Sequence, residues 1–140
     1  MTCIACTLDE MAGDSRITGD VMHNVEKVKR IKTSIFGVAG DWDACARFLA
    51  WVEKGGDKPV ISDSAFEAIE LTKDGIYLWS STLTRYKTTS QFHAIGSGGL
   101  AAKCLLSLGL SPPATVETVS RNCETVGGPI ICLSLKRLKR

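Results

Sequence analysis

The chain has 140 residues, 44% hydrophobic and 23% charged, the balance of one folded domain able to build its own core. Seventeen Lys and Arg against fifteen Asp and Glu give a net charge of +2, too even for nucleic-acid binding through bulk charge. No apolar run approaches the ~20 residues that span a bilayer, and the N-terminus lacks the regions of a secretory signal, so a cytoplasmic protein with no nucleic-acid or membrane partner is expected.

Thr2 to Leu8 reads as a strand, with Ile4 between the β-branched Thr2 and Thr7. Cys3 and Cys6 form a C-x-x-C pair, but residues three apart on a strand face opposite ways. No second pair with similar spacing exists to complete a zinc site. The six cysteines (Cys3, Cys6, Cys45, Cys104, Cys123 and Cys132) are expected to be reduced, most of them acting as small core hydrophobes. No metal or cofactor is expected. Asp9-Glu10 reads as a tight turn and Met11–Thr18 as the returning strand, in which Gly13 marks a close backbone approach. A charged stretch, His23 to Lys32, follows; simple alternation puts Lys27 and Lys29 on one face. Ser34–Gly40 reads as a buried strand.

Asp41 or Asp43 is positioned to cap a first helix with an apolar stripe of Cys45, Phe48, Leu49 and Val52, stopped by Gly55-Gly56. Residues 57–64 read as a loop. Phe66–Thr72 and Ile76–Ser80 read as a hairpin turning at Lys73-Asp74-Gly75, and Gln91–Ile95 as a further strand. A second helix opens at Gly96–Gly99, with a predicted stripe of Ala101, Cys104, Leu105 and Leu108, and ends at Gly109. Ser111-Pro112 opens a third helix, with a predicted seam of Val116, Val119, Cys123 and Val126 and its end at Gly127-Gly128. Pro129–Leu135 reads as a last strand, followed by a basic tail, Lys136–Arg140. Trp42, Trp51 and Trp79 read as core or interface anchors, the latter two as candidates for exposure. Strands and helices in separate runs predict an α+β fold of two sheets packed face to face with helices outside.

Six features occur in order: Thr2 directly after Met1, Gly13–Arg16 (GDSR), Lys27, Phe36–Gly40 (FGVAG), Gly96–Gly99 (GSGG) and Gly127–Pro129 (GGP). In this order and over nearly the whole chain they resemble the proteasome β-subunit and HslV group of N-terminal nucleophile hydrolases. The resemblance implies a single domain over residues 1–140, a four-layer αββα sandwich, and a threonine-type peptidase using an acyl-enzyme. Removal of Met1 would give Thr2 both a hydroxyl nucleophile and a free α-amine, whose ordinary pKa of about 7.7–8.0 suits a general base. The resemblance further implies that Lys27 sits beside Thr2 with Asp14 as its partner. In the same way, Gly40 N–H meets the oxyanion and Ser97 holds the Thr2 amine. The family's usual Asp near the end of the third helix has no carboxylate counterpart; Asn122 fits with a one-residue shift and Cys123 without one. An extended peptide along a strand edge near Val38–Gly40 would place a side chain against Val38, Ala39 and Trp42. Expected partners are a peptide or unfolded protein substrate, other copies in a homo-oligomeric ring, and an ATP-dependent unfoldase. The segment between the first helix and Gly96 is short, lacking a helix that larger relatives carry. An inactive assembly subunit and an amidase for small amides are the competing readings.

Overall fold

Strand β1, Ile4–Thr7, alternates between two cores: Ile4 and Cys6 face one way, Cys3 and Ala5 the other, and all four are buried. A strand wet on neither face has to lie between two layers, and the rest of the chain supplies them. The computed structural model describes residues 2–17 and 23–135. The elements after β1 are β2 (Glu10–Gly13), β3 (Arg16–Ile17), β4 (His23–Asn24), β5 (Val28–Ile31), β6 (Ser34–Gly40) and α1 (Trp42–Lys54). They continue with β7 (Phe66–Thr72), β8 (Gly75–Trp79), β9 (Arg85–Lys87), β10 (Phe92–Ile95), α2 (Gly99–Ser107), α3 (Pro112–Asn122) and β11 (Ile131–Ser134).

Two antiparallel sheets result, one of order β10-β1-β2-β11 and one of order β5-β6-β7-β8-β9, with β3 and β4 forming a small ribbon. Ile4, Cys6 and Met11 of the first sheet meet Ile35, Ile69, Leu71 and Ile76 of the second in the central core. A Cβ on Gly13 would lie 2.5 Å from Ile4 Cδ1 and 2.7 Å from Val28 Cγ2, so the bare backbone lets the sheets approach there. Helix α1 covers the outer face of the second sheet through Ala44, Cys45, Phe48 and Leu49. Helices α2 and α3 cover the outer face of the first through Ala102, Leu106, Val116 and Val119. The fold is therefore α+β, a four-layer αββα sandwich.

Several local expectations are corrected. The first hairpin turns at Leu8-Asp9, and its second strand ends at Gly13 instead of running to Thr18, which lies outside the described residues. The Asp14 N–H still meets the Cys3 carbonyl at 3.2 Å, but the Asp14 carboxylate and Ser15 turn to side-chain hydrogen bonds that end the strand. Strand β5 begins at Val28, so Lys27 sits at the bend before it and not on a face shared with Lys29. Between Gly55 and Ile95 the described chain forms strands only, one of which, β9, has no apolar signal.

Helix α2 is apolar nearly all round, so periodicity does not choose its buried face. The small Gly99 and Ala102 turn inward while Ala101, Cys104 and Leu108 of the predicted stripe face solvent. Leu100 and Leu108 are 79% and 77% exposed. Helix α3 ends at Asn122, five residues before the glycine pair, and the intervening residues form a loop. Trp51 and Trp79 are not free anchors: both pack on the fully buried Phe48, with ring centroids at 6.3 and 5.2 Å. The basic tail Lys136–Arg140 lies outside the described residues.

Candidate functional site

Thr2 stands just before β1, 6% exposed, where the first sheet meets the open end of the second. Its N–H donates to Ser97 Oγ at 3.3 Å, and its carbonyl accepts the Gly98 N–H at 3.0 Å. The turn between β10 and α2 thus grips the residue from both sides. Gly96 adopts φ +94°, and a Cβ there would run into the Thr2 carbonyl, so the turn comes this close only with glycine.

Below Thr2 the chain builds a closed ionic knot. Asp14 is fully buried; Oδ1 accepts the Cys3 N–H at 3.0 Å, and Oδ2 accepts Lys27 Nζ at 3.1 Å and the Gly127 N–H at 3.2 Å. Lys27, 2% exposed, also donates to the Arg16 carbonyl. Burial pushes the Lys27 ammonium below the usual lysine range, and the Asp14 carboxylate opposes that shift. A buried cation requires such a partner set, since an unpaired one costs several kcal/mol or more, on the order of a whole domain's stability. Lys29, by contrast, forms an exposed pair with Glu53 on α1 at 3.3 Å.

Strand β6 carries the next component. The Val38 N–H donates to the Lys27 carbonyl at 3.0 Å, so N–H groups at Val38 and, two residues on, Gly40 face the β5 side. The Asp41 N–H turns the other way, to the Ala65 carbonyl at 2.8 Å. Beyond Lys27 no strand continues beside β6 among the described residues, so Gly40 directs its N–H toward the cleft where Thr2 and Lys27 meet. The open edge is therefore shorter than the Val38–Gly40 stretch expected: β7 pairs with the strand throughout, and only Ala39–Gly40 is free on the other side.

Two clefts meet at Thr2, Ala39 and Gly40. One, of about 290 Å³, adds Lys27, Val38, Asp41, Trp42 and Cys45. The other, of about 350 Å³, adds Ala65, Phe66, Glu67, Gly96 and Ser97. Val38, Ala39 and Trp42 thus line one cavity together with Cys45, whose thiol pKa is pushed up to about 12 by burial and then by Asp41. Burial likewise raises the Cys3 thiol to about 12, with Asp14 adding to it. Among the described residues no group of three or more His, Cys, Asp or Glu is placed to hold a metal ion.

Of the residues singled out in the sequence, Thr2, Asp14, Lys27, Gly40 and Ser97 come together. Asn122 does not: it is exposed, and its amide bonds back to the Thr118 carbonyl of its own helix at 2.8 Å. Gly127, beyond the end of α3, joins the site instead. Gly127 N–H bonds Asp14, and the Gly127 carbonyl accepts Ser15 and Arg16 N–H groups, each at 3.1 Å. Cys123 is half-buried at the end of α3, with Sγ 3.4 Å from Thr125 Oγ1; that hydroxyl holds the thiol below its usual range. Reading Gly127-Gly128 only as a helix stop conceals this role. Cys45 is visible in the sequence as a helix-stripe residue, whereas nothing there marks Glu67 as a cleft residue.

No protein-family model matches the chain, and no curated protein does. Solved structures do. The chain superposes on Thiobacillus denitrificans BPH in complex with epoxomicin with a TM-score of 0.63 at 15% identity, covering 97% of this chain and 99% of that one. The same protein in another structure gives 0.63 at 15% identity, over 96% and 98%. Eukaryotic HslV from Trypanosoma brucei gives 0.66 at 12% identity, over 96% and 98%. The chain shares the fold of the Thiobacillus protein and of the Trypanosoma HslV. At these identities the likeness establishes architecture alone, and the chemistry rests on the residues at the site. Among the described residues no helix is long and apolar enough to cross a membrane.

Proposed function

We propose that the chain is a threonine-type peptidase whose nucleophile is Thr2, exposed by removal of Met1. The observation that carries this reading is the N–H of Thr2 held by Ser97 at the junction of two clefts, with Lys27 lining one of them. A threonine hydroxyl is a weak nucleophile without an adjacent base. With Met1 gone, the α-amine of Thr2 takes the hydroxyl proton as Oγ attacks the carbonyl carbon of the substrate. The nearby Lys27 cation disfavours the protonated amine and favours developing negative charge. Gly40 N–H donates to the oxyanion, a contribution worth about 3–4 kcal/mol for one well-placed donor. The amine then passes its proton to the leaving nitrogen, the C–N bond breaks, and water releases the acyl group from Oγ by the same steps in reverse.

Asp14 acts through Lys27 and is a positioning residue. The cleft of Val38, Ala39 and Trp42 takes an apolar or small side chain on the acyl side of the cut bond. The test begins with the N-terminal mass of the purified chain: loss of Met1, with hydrolysis of a fluorogenic peptide, is expected. Epoxomicin, bound by the Thiobacillus protein, should block that hydrolysis. A chain that keeps Met1 quantitatively and cuts nothing would instead be an inactive assembly subunit. Hydrolysis of small amides but not peptides would point to an amidase.

The peptide or unfolded substrate is expected to reach Thr2 inside a homo-oligomeric ring, with an ATP-dependent unfoldase as feeding partner. Closed symmetry is the rule for soluble homo-oligomers, and the HslV-like architecture favours it here. Light scattering at micromolar concentration should give a mass several times 15.1 kDa; a monomer alone would refute the ring.

A further inference from the structure

The two clefts at Thr2 differ in charge. The acyl-side cleft holds both signs, Lys27 tied to Asp14 and Asp41 capping α1. The second cleft, of about 350 Å³, has Glu67 as the one charged side chain in its lining among the described residues. Glu67 is exposed on β7, at the position paired with Ala39, and its Oε1 accepts the Gly96 N–H at 3.4 Å. That contact anchors the carboxylate beside the turn that grips Thr2. Among the described residues Glu67 forms no ion pair, so its charge faces the cleft without a protein cation.

The proton path assigns this cleft a role, given the peptidase reading above. The base that takes the Thr2 hydroxyl proton has to deliver it to the leaving nitrogen, so the leaving segment lies on the amine side. That side is marked by Ser97, which accepts from Thr2 N and lines the second cleft. We propose that Glu67 is a specificity determinant: it selects peptides with a Lys or Arg side chain at the residue following the cut bond. A carboxylate fixed by one backbone N–H keeps acceptor capacity for an ammonium or guanidinium donor. It also repels an acidic residue there, so discrimination comes from both signs.

The test uses internally quenched peptides identical except for the residue after the cut bond, which is Lys, Arg, norleucine or Glu. The Met1-free protein should cut the Lys and Arg peptides with kcat/KM about fivefold above norleucine, the scale of a partly exposed ion pair. The Glu peptide should fall below norleucine, and added salt should narrow the spread. Glu67→Gln keeps the acceptor for Gly96 N–H and removes only charge; it should bring the Lys-to-norleucine ratio near one, and Glu67→Lys should invert it. Binding of the Lys peptide to Thr2→Ala protein gives a readout independent of turnover and should weaken about fivefold when Glu67→Gln is added. If no peptide is cut but binding of the Lys peptide still depends on Glu67, the peptidase reading fails, and only the preference of the Glu67 cleft for a basic side chain stands. Peptide ratios and Lys-peptide binding that Glu67→Gln leaves unchanged would overturn it.

Discussion

Thr2→Ala is expected to lower peptide hydrolysis by about a thousandfold or more, to the level of a site without a nucleophile, while leaving the fold intact. The substitution deletes one hydroxyl and one methyl from a residue at a cleft junction. It keeps the backbone bonds to Ser97 and Gly98 that hold the segment. Chemical denaturation should therefore move by no more than about 1 kcal/mol. Thr2→Ser retains the hydroxyl on the same backbone and should keep measurable turnover, which separates loss of the nucleophile from loss of local packing. The pH dependence has a definite sign. A free α-amine must be unprotonated to act as base, so kcat/KM should rise with pH through an apparent pKa near or below the ordinary range of about 7.7–8.0. The nearby Lys27 cation displaces that limb downward. Residual hydrolysis by clean Thr2→Ala protein at the rate of the parent would assign the activity elsewhere.

The architecture is legible in the sequence wherever period and punctuation agree. Ser34–Gly40 reads as a buried strand and is one; Asp41 caps α1, and Phe48 and Leu49 lie on its buried face. Legibility fails where burial has no periodic signature. Helix α2 has apolar residues on every side, and its inward face is chosen by the small size of Gly99 and Ala102 against the sheet. Strand β9, Arg85-Tyr86-Lys87, is exposed at every position and joins the sheet by backbone bonds to β8. In the site, the resemblance already joins Thr2 to Ser97 and Lys27 to Asp14 across the chain, but a backbone N–H contributed from a distance leaves no mark in the sequence. Asp14 lies 113 residues from Gly127, and only the folded chain shows that the glycine N–H donates to its carboxylate. Lys27 and Lys29 are chemically alike in the sequence; the bend before β5 turns one into the interior and leaves the other on the surface.

That contrast gives the second large effect. Lys27→Met should lower turnover by orders of magnitude and stability by about 3–5 kcal/mol, because it strands the Asp14 carboxylate in the interior with its cation removed. Lys29→Met breaks a pair whose members are 36% and 49% exposed and should cost no more than about 1 kcal/mol, with turnover nearly unchanged. Stability alone does not separate a catalytic cation from a structural one, so the double variant Lys27→Met with Asp14→Asn is the informative measurement. Removing both charges ends the penalty of an unpaired buried ion, and the double variant should regain more than half of the stability lost in Lys27→Met. The amide introduced by Asp14→Asn still offers one oxygen to the Cys3 or Gly127 N–H, which limits the structural loss. Turnover should not return, since the cation beside the Thr2 amine is still missing. Recovery of both quantities together would make Lys27 a partner for Asp14 and nothing more.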